Sequence, residues 1–277
     1  MSEQRRRVID ITTTATLRPA ILAQTLDSFF ENLLGGTALH HFEYRHVLNI
    51  DCVGDACVPY DVIHESEKRF GTMPTVRIAE DPNFTRAFRW VWQQAAAEYV
   101  FHLEDDWVMQ QPMSLVDMVS FLDEHQDFAL LRLNKFESAY RPLFKPDGPL
   151  THLARQWNRH MPWNQELGIF EVPDEYKMKL GFSGNPSLLR GEFVQEFVKY
   201  LQIEEWDPEV QLHLMPDIED SGSSIMRWRY GIWQKQKSRA TIRDIGRVWC
   251  EQHGWHKHRG LGFTHWERMT DGQTAAS

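Results

Sequence analysis

Three consecutive acids, Glu104-Asp105-Asp106, follow directly on the apolar run Tyr99–Leu103 in the segment YVFHLEDDWVM. Such a run reads as a buried strand, and open α/β sheets bind ligands beyond the carboxyl ends of their strands. Side chains alternate along a strand, so Glu104 and Asp106 are expected to point the same way if the strand geometry continues. Two carboxylates on one side suit a hard divalent cation, Mg²⁺ or Mn²⁺. That cation would neutralise a diphosphate leaving group. The competing reading is an acidic turn at the surface. Against it, like charges crowded at the end of a buried strand repel one another unless a counter-ion joins them.

The elements before the triplet alternate in type. Val8–Ala15 is β-branched and apolar and predicts a strand. Arg18-Pro19 opens a helix over Ala20–Leu34, with Pro near its first turn and Gly35-Gly36 past its end. Tyr44–Asp51 predicts a second strand, Pro59–Phe70 a helix ended by Gly71, and Thr75–Ala79 a third strand. Phe84–Glu98 predicts a helix with Phe88, Val91, Trp92 and Ala95 on one face. This order argues for an α/β fold with a mostly parallel sheet and helices on both faces. Further on, Leu115–Glu124 predicts a helix and Phe128–Leu133 a strand. Residues 135–165 read as a long loop, Gly191–Leu201 as a helix, and Ile218–Gln236 as a helix with an acidic start. No repeat or linker divides the chain, so residues 1–277 read as one domain.

Four pieces in this order resemble the nucleotide-sugar-binding half of GT-A glycosyltransferases, nearest the large inverting family. They are a strand ending in Thr12-Thr13-Thr14 with Arg18-Pro19 and a helix reaching Leu26-Asp27-Ser28; a strand ending at Asp51; Asn83 before the helix Arg86–Ala97; and the strand leading into Glu104-Asp105-Asp106. The resemblance covers residues 8–110. It implies a GT-A fold, with residues 1–110 binding a nucleotide-diphosphate sugar and residues 111–277 forming an acceptor-side half with a basic C-terminal lid. It implies that Thr13, Thr14, Arg18, Asp51, Asn83, Arg86, Arg89 and Asp105 border the donor. Asp106 and Glu104 would hold Mn²⁺ or Mg²⁺. The family's second acidic motif carries the general base. Its counterpart is Glu219-Asp220 in PDIEDSGSS, with Asp220 the preferred base. This motif follows GFSGNPSLLR, which resembles the acceptor-side strand. A helix N-cap at Asp217 or Asp220 is the alternative reading. In the tail, His253, His256, His258 and His265 are candidate metal ligands, with His256 and His265 carried forward, and Lys257 and Arg259 are candidate diphosphate contacts. Two features depart from the family pattern: the triplet begins with Glu, and the acids after the second strand are spread out as Asp51 and Asp55.

Composition bounds the rest. The 277 residues carry a formal charge of -9, which argues against a protein coated with nucleic acid. The charge is uneven: Arg227–Arg268 holds ten Lys/Arg against three acids, about +7, leaving about -16 elsewhere. Such asymmetry suits a face that meets a polyanion or phosphate. Three cysteines (Cys52, Cys57, Cys250) without a C-x-x-C pair suit a reducing compartment. No stretch approaches the roughly 20 apolar residues of a membrane span, and the expected location is cytoplasmic. Of the 11 tryptophans, Trp157, Trp163, Trp206, Trp228, Trp233 and Trp255 are candidates for stacking on sugars or bases, or for core packing. The acceptor is open, and hydroxymethylated pyrimidines in DNA are one alternative. A nucleotidyltransferase is a second enzyme class, disfavoured because Thr12-Thr13-Thr14-Ala15-Thr16-Leu17-Arg18 holds no glycine. A non-catalytic nucleotide-sugar-binding module is the third.

Overall fold

The computed structural model describes residues 6–54, 57–135, 163–164, 169–174, 177, 181–219, 225–233, 240–259 and 264–268, the side chains of residues 164, 216–219, 256–259 and 264–268 excepted. The first half follows the expected alternation. Strands β1 (Arg7–Leu17), β2 (Phe42–Gly54), β3 (Thr75–Ala79) and β4 (Tyr99–Glu104) pair in parallel in the order β3-β2-β1-β4. Helices α1 (Pro19–Phe29), the short α2 (Ala38–His41), α3 (Pro59–Phe70) and α4 (Phe84–Gln94) connect them. The helix predicted to Leu34 continues past Phe29 as a widened π turn over Phe30–Leu34.

Helix α4 stops at Gln94 rather than Glu98. The carboxylate of buried Asp10 accepts hydrogen bonds from the Ala96 and Ala97 N–H groups at 2.6 and 2.7 Å and holds the chain out of the helix there. The predicted apolar face holds: Phe88, Val91, Trp92 and Ala95 are buried.

Beyond the triplet come β5 (Trp107–Met109), α5 (Leu115–Glu124), β6 (Phe128–Leu133), β7 (Trp163–Asn164), β8 (Ile169–Glu171) and β9 (Ser187–Arg190). Helices α6 (Gly191–Phe197) and α7 (Pro208–Glu219) follow. Strand β10 (Arg229–Trp233) then lies parallel to β6, which corrects the helix predicted over Ile218–Gln236. Gly231 packs closely beside β6: a Cβ there would stand 2.7 Å from Leu131 Cδ2, and the leucine side chain would have to shift. The tail is also ordered into elements that the sequence reading did not name. These are β11 (Ile242–Asp244), α8 (Gly246–His253), β12 (Trp255–Arg259) and β13 (Thr264–Arg268).

The main sheet runs β3-β2-β1-β4-β9-β6-β10-β8-β7. Strands β1 to β4, β6, β10 and β7 share one direction, and β8 and β9 run against them. Strand β9 therefore separates β4 from β6 and brings its N-terminal end to their carboxyl ends. Two apolar cores lie on opposite faces. One takes Phe101 and Leu103 from β4 against α1, and the other takes Val100 against α4 and α6. This alternation fixes where the side chains at the end of β4 point.

Candidate active site

Strand β4 ends at Glu104, and Asp105-Asp106 form the turn into β5. The alternation expected to carry Glu104 and Asp106 to one side ends with the strand. Asp105 continues onto the α1 face, where it is 3% exposed. Its Oδ1 accepts from Arg18 Nη2 at 2.5 Å, and its Oδ2 accepts from the Thr16 N–H at 3.0 Å and the Thr16 hydroxyl at 3.3 Å. The Thr25 hydroxyl donates to the Asp105 carbonyl. Burial pushes the Asp105 carboxyl up, and Arg18 offsets this only in part. For Arg18, burial opposes the charge, but Asp105 and Asp106 override it and hold the guanidinium above its ordinary value. Asp105 and Arg18, both read from the sequence as donor-binding, thus form a buried pair that braces the turn from inside.

Asp106 lies at the rim, with its side chain 22% exposed and Oδ2 3.2 Å from the same Arg18 nitrogen. The C-terminal segment closes on it. Strand β11 pairs antiparallel with β5, the Ile245 N–H donates to the Asp106 carbonyl at 2.8 Å, and α8 begins at Gly246 directly against the carboxylate. A Cβ on Gly246 would stand 2.0 Å from Asp106 Oδ2, so only glycine fits at this contact. Trp249 of α8 covers the Arg18 guanidinium at 5.1 Å. A carboxylate at a helix N-terminus is favourably placed for the backbone dipoles.

Glu104 turns to the other face. Its Oε2 accepts from Trp107 Nε1 at 2.9 Å. Gly184 lies beside it: a Cβ there would meet Glu104 Oε1 at 3.5 Å and Glu209 Oε1 at 3.6 Å. The two carboxylates therefore both approach one small backbone position. Glu209 is in the first turn of α7 and accepts the Gly184 N–H at 2.7 Å. Its own N–H is held by Asp207 Oδ1 at 2.8 Å. Beside it lie buried Arg132, at the end of β6, and buried His213, whose pKa burial lowers to about 4. Lys135 donates to Asn185 Oδ1 at 3.1 Å and stands 5.7 Å above the Trp107 ring. The sequence reading missed Glu209. The available signal was Asp207-Pro208, a capping acid followed by proline at the first helical position.

Asp51, expected to border the donor, is 6% exposed and lies within β2, which runs on to Gly54 instead of ending at Asp51. Burial pushes its carboxyl up to about 6, while Asn49, Arg77, Arg86 and the Asn83 backbone pull it the other way. Asn83 caps α4, accepting the Arg86 N–H at 2.8 Å and donating to the Glu204 carbonyl at 3.0 Å. Arg86 and Arg89 reach the Glu204 carboxylate at 3.4 Å each. Asp51, Asn83 and Arg86 are thus brought together, with Arg89 tied to the same loop. Thr13 is wholly buried and bonded through its hydroxyl to His46 Nε2 at 2.9 Å. Thr14 is buried beside Glu104 in register.

Glu219 is the last residue of α7, and Asp220 lies outside the described residues. Asp217 lies inside α7 rather than before a helix, which corrects the N-cap reading at that residue. Lys257, His256, His258 and Arg259 fall on β12 and His265 on β13. Their side chains, like Trp157, lie outside the described residues. His253 Nδ1–H donates to the Trp249 carbonyl at 2.8 Å, and the ring stacks on that of Trp249. Of the remaining tryptophans, Trp228 is buried, and Trp163, Trp206, Trp233 and Trp255 are half-buried. Among the described residues, no three His, Cys, Asp or Glu side chains gather as a metal site, and no helix is long and apolar enough to cross a membrane.

No protein-family model matches the sequence, and no curated protein matches it. Solved structures do. Staphylococcus aureus TarS 1–349 is similar with a TM-score of 0.52 at 13% identity, covering 88% of this chain and 62% of that one. A complex of the same protein with UDP-GlcNAc has a TM-score of 0.50 at 14% identity, covering 85% and 57%. The mannosyltransferase PcManGT of Pyrobaculum calidifontis, in complex with GDP-Man and Mn²⁺, has a TM-score of 0.52 at 12% identity, covering 85% and 56%. The chain spans about six-tenths of the length of these solved chains. At such identities the likeness is one of fold, and the fold is the α/β fold of GT-A glycosyltransferases.

Proposed function

We propose that this protein is a glycosyltransferase that moves a sugar from a nucleotide-diphosphate sugar to an acceptor hydroxyl. The reading treats residues 1–277 as one domain with a divalent cation, Mn²⁺ or Mg²⁺, at the triplet. The observation that carries it is the pair of carboxylates, Glu104 and Glu209, gathered at Gly184 by the carboxyl ends of β4 and β6 in a GT-A fold. The solved neighbours bind UDP-GlcNAc or GDP-Man with Mn²⁺, which supports a donor of this class.

The chemistry of the donors suits a hard cation: Glu104 and Asp106 would hold it with partly exposed carboxylate oxygens from the two sides of the turn, while Asp105 is engaged by Arg18. When bound, the cation supplies charge neutralisation of the leaving diphosphate. The chain does the rest. Asp51 and Asn83, with Arg86 beside them, would border the nucleoside. The Arg18–Asp105 pair fixes the turn that presents Asp106, and α8 covers it. Lys257 and Arg259 would follow α8 onto the diphosphate, with His256 and His265 alongside.

For the proton acceptor, geometry favours Glu209. One oxygen is oriented by the Gly184 N–H, and the carboxylate faces the cleft shared with Glu104. It would take the acceptor hydroxyl's proton as that oxygen attacks the anomeric carbon, a direct displacement with inversion. Glu219 is ten residues further along α7, about 15 Å along its axis, so Glu209 and Glu219 do not serve one site. Substitutions Glu209→Gln and Asp220→Asn, assayed for transfer, decide which carboxylate is the base. Loss of about 10²-fold or more in kcat at Glu209, with Asp220→Asn near wild type, is the expected result. The reverse pattern returns the base to Asp220.

A further inference from the structure

Four cationic side chains are buried among the described residues: Arg18, Arg132, Lys177 and Arg190, at 2, 8, 4 and 6% exposure. Three have evident partners. Arg18 pairs with Asp105 and Asp106. Lys177 pairs with Asp174 and the Met226 carbonyl. Arg190 donates to the carbonyls of Phe128, Leu122 and His125. Arg132 alone of the four makes neither a hydrogen bond nor an ion pair with a described residue. Its nitrogens are not among the sealed polar atoms that lack a partner, so a largely buried guanidinium keeps donors open to a ligand.

The neighbours of Arg132 in the sheet do not take up these donors. Arg132 on β6 is in register with Ser187 on β9, and Ser187 with His102 on β4. These three side chains form one row, a layer beneath Glu104. Ser187 Oγ and His102 Nε2 are sealed and themselves lack partners. His102 Nδ1 is taken by Thr12 Oγ1 at 3.1 Å, and burial holds the ring neutral, with its pKa down at about 3. Among the described residues, the charged group acting on Arg132 is Glu209, which is engaged with the Gly184 N–H and forms no ion pair with it.

We infer that Arg132 is an anion-binding residue of the acceptor site, and that the acceptor carries an oxyanion, phosphate or carboxylate, close to its reacting hydroxyl. Arg132 is placed for the acceptor rather than the donor. Strand β9 separates β6 from the triplet, and Arg132 lies beside Glu209 on the wall opposite β1 and β2. The planar guanidinium can meet two oxygens of such a group at once. The inference rests on the glycosyltransferase reading for the word acceptor, but not for the anion.

The test is thermal unfolding of the full chain against inorganic phosphate at constant ionic strength, for wild type, Arg132→Met and Arg132→Lys. Wild type is expected to gain about 2–5 °C with saturation, by mass action. Arg132→Met removes an unpaired buried charge, so it should melt no lower than wild type without phosphate and should gain nothing with it. Arg132→Lys, which keeps the charge but loses the fork, should need more phosphate for the same gain. An equal gain in wild type and Arg132→Met, or no gain in wild type, overturns the inference. A gain in wild type that vanishes once a nucleoside diphosphate saturates the protein assigns Arg132 to the donor and also overturns it. If no nucleotide binds but the Arg132-dependent gain persists, the glycosyltransferase reading fails and the anion site stands.

Discussion

Gly246 makes the sharpest contact in the site. A methyl group there would stand 2.0 Å from Asp106 Oδ2, 2.6 Å from Cγ and 2.7 Å from Cβ. Ordinary contact needs about 3.5 Å or more, so the carboxylate or the start of α8 must shift by more than 1 Å. Neither moves freely: the Asp106 carbonyl is tied to the Ile245 N–H, its carboxylate to Arg18, and Trp249 lies over Arg18. Overpacking of this kind costs about 1–3 kcal/mol, a factor of roughly 5–150 in an equilibrium constant. Gly246→Ala should therefore weaken Mn²⁺-dependent binding of a nucleoside diphosphate by about tenfold or more in isothermal titration. Binding of the nucleoside alone, proposed to rest on Asp51 and Asn83, should not change. The melting temperature should fall by no more than about 10 °C, which separates the effect from unfolding. If Gly246→Ala binds the Mn²⁺–diphosphate complex as wild type does, α8 does not fix Asp106, and the closing role of the C-terminal segment is wrong.

Other substitutions probe other parts of the site. Asp51, with its pKa raised from 3.8 to about 6, binds a proton more tightly folded than unfolded, so it favours folding below about pH 4 and loses that contribution as pH rises through 6. Asp51→Asn should flatten this slope, worth about 2–3 kcal/mol by pH 7, and weaken nucleoside binding; a pH–stability curve unchanged by the substitution contradicts the burial account. Arg18→Met strands Asp105 in the interior and should cost about 3–5 kcal/mol, read by urea unfolding; a loss below about 1 kcal/mol would show the pair to be dispensable. Trp107→Phe removes the hydrogen bond that aims Glu104 and should weaken Mn²⁺–nucleotide binding about tenfold, with little change in melting temperature.

The sequence carried the first half of this molecule well because the information there is local. Strands β1 to β4 and helices α1, α3 and α4 are each written in a run with one period, capped by Pro59, Gly71 or Asn83. The triplet was legible for the same reason. What was not legible depends on distant residues. Nothing near Arg18 announces that Asp105, 87 positions away, will consume it. The direction of Glu104 against Asp105 required knowing that β4 stops at Glu104. Strand β10 is five residues without polar alternation and is a strand only because β6 and β8 flank it. Glu209 was hidden because its role comes from Gly184, 25 positions away, and from the antiparallel β9 that brings the loop 181–186 to the triplet.

Release of nucleoside diphosphate from UDP- and GDP-sugars in the presence of Mn²⁺, followed by chromatography, tests the central claim most directly. At least one donor should be turned over, with release abolished by EDTA and reduced about 10²-fold or more by Asp106→Ala. No release from any donor, or release undiminished in Asp106→Ala, would contradict a metal-dependent glycosyltransferase centred on Glu104 and Asp106.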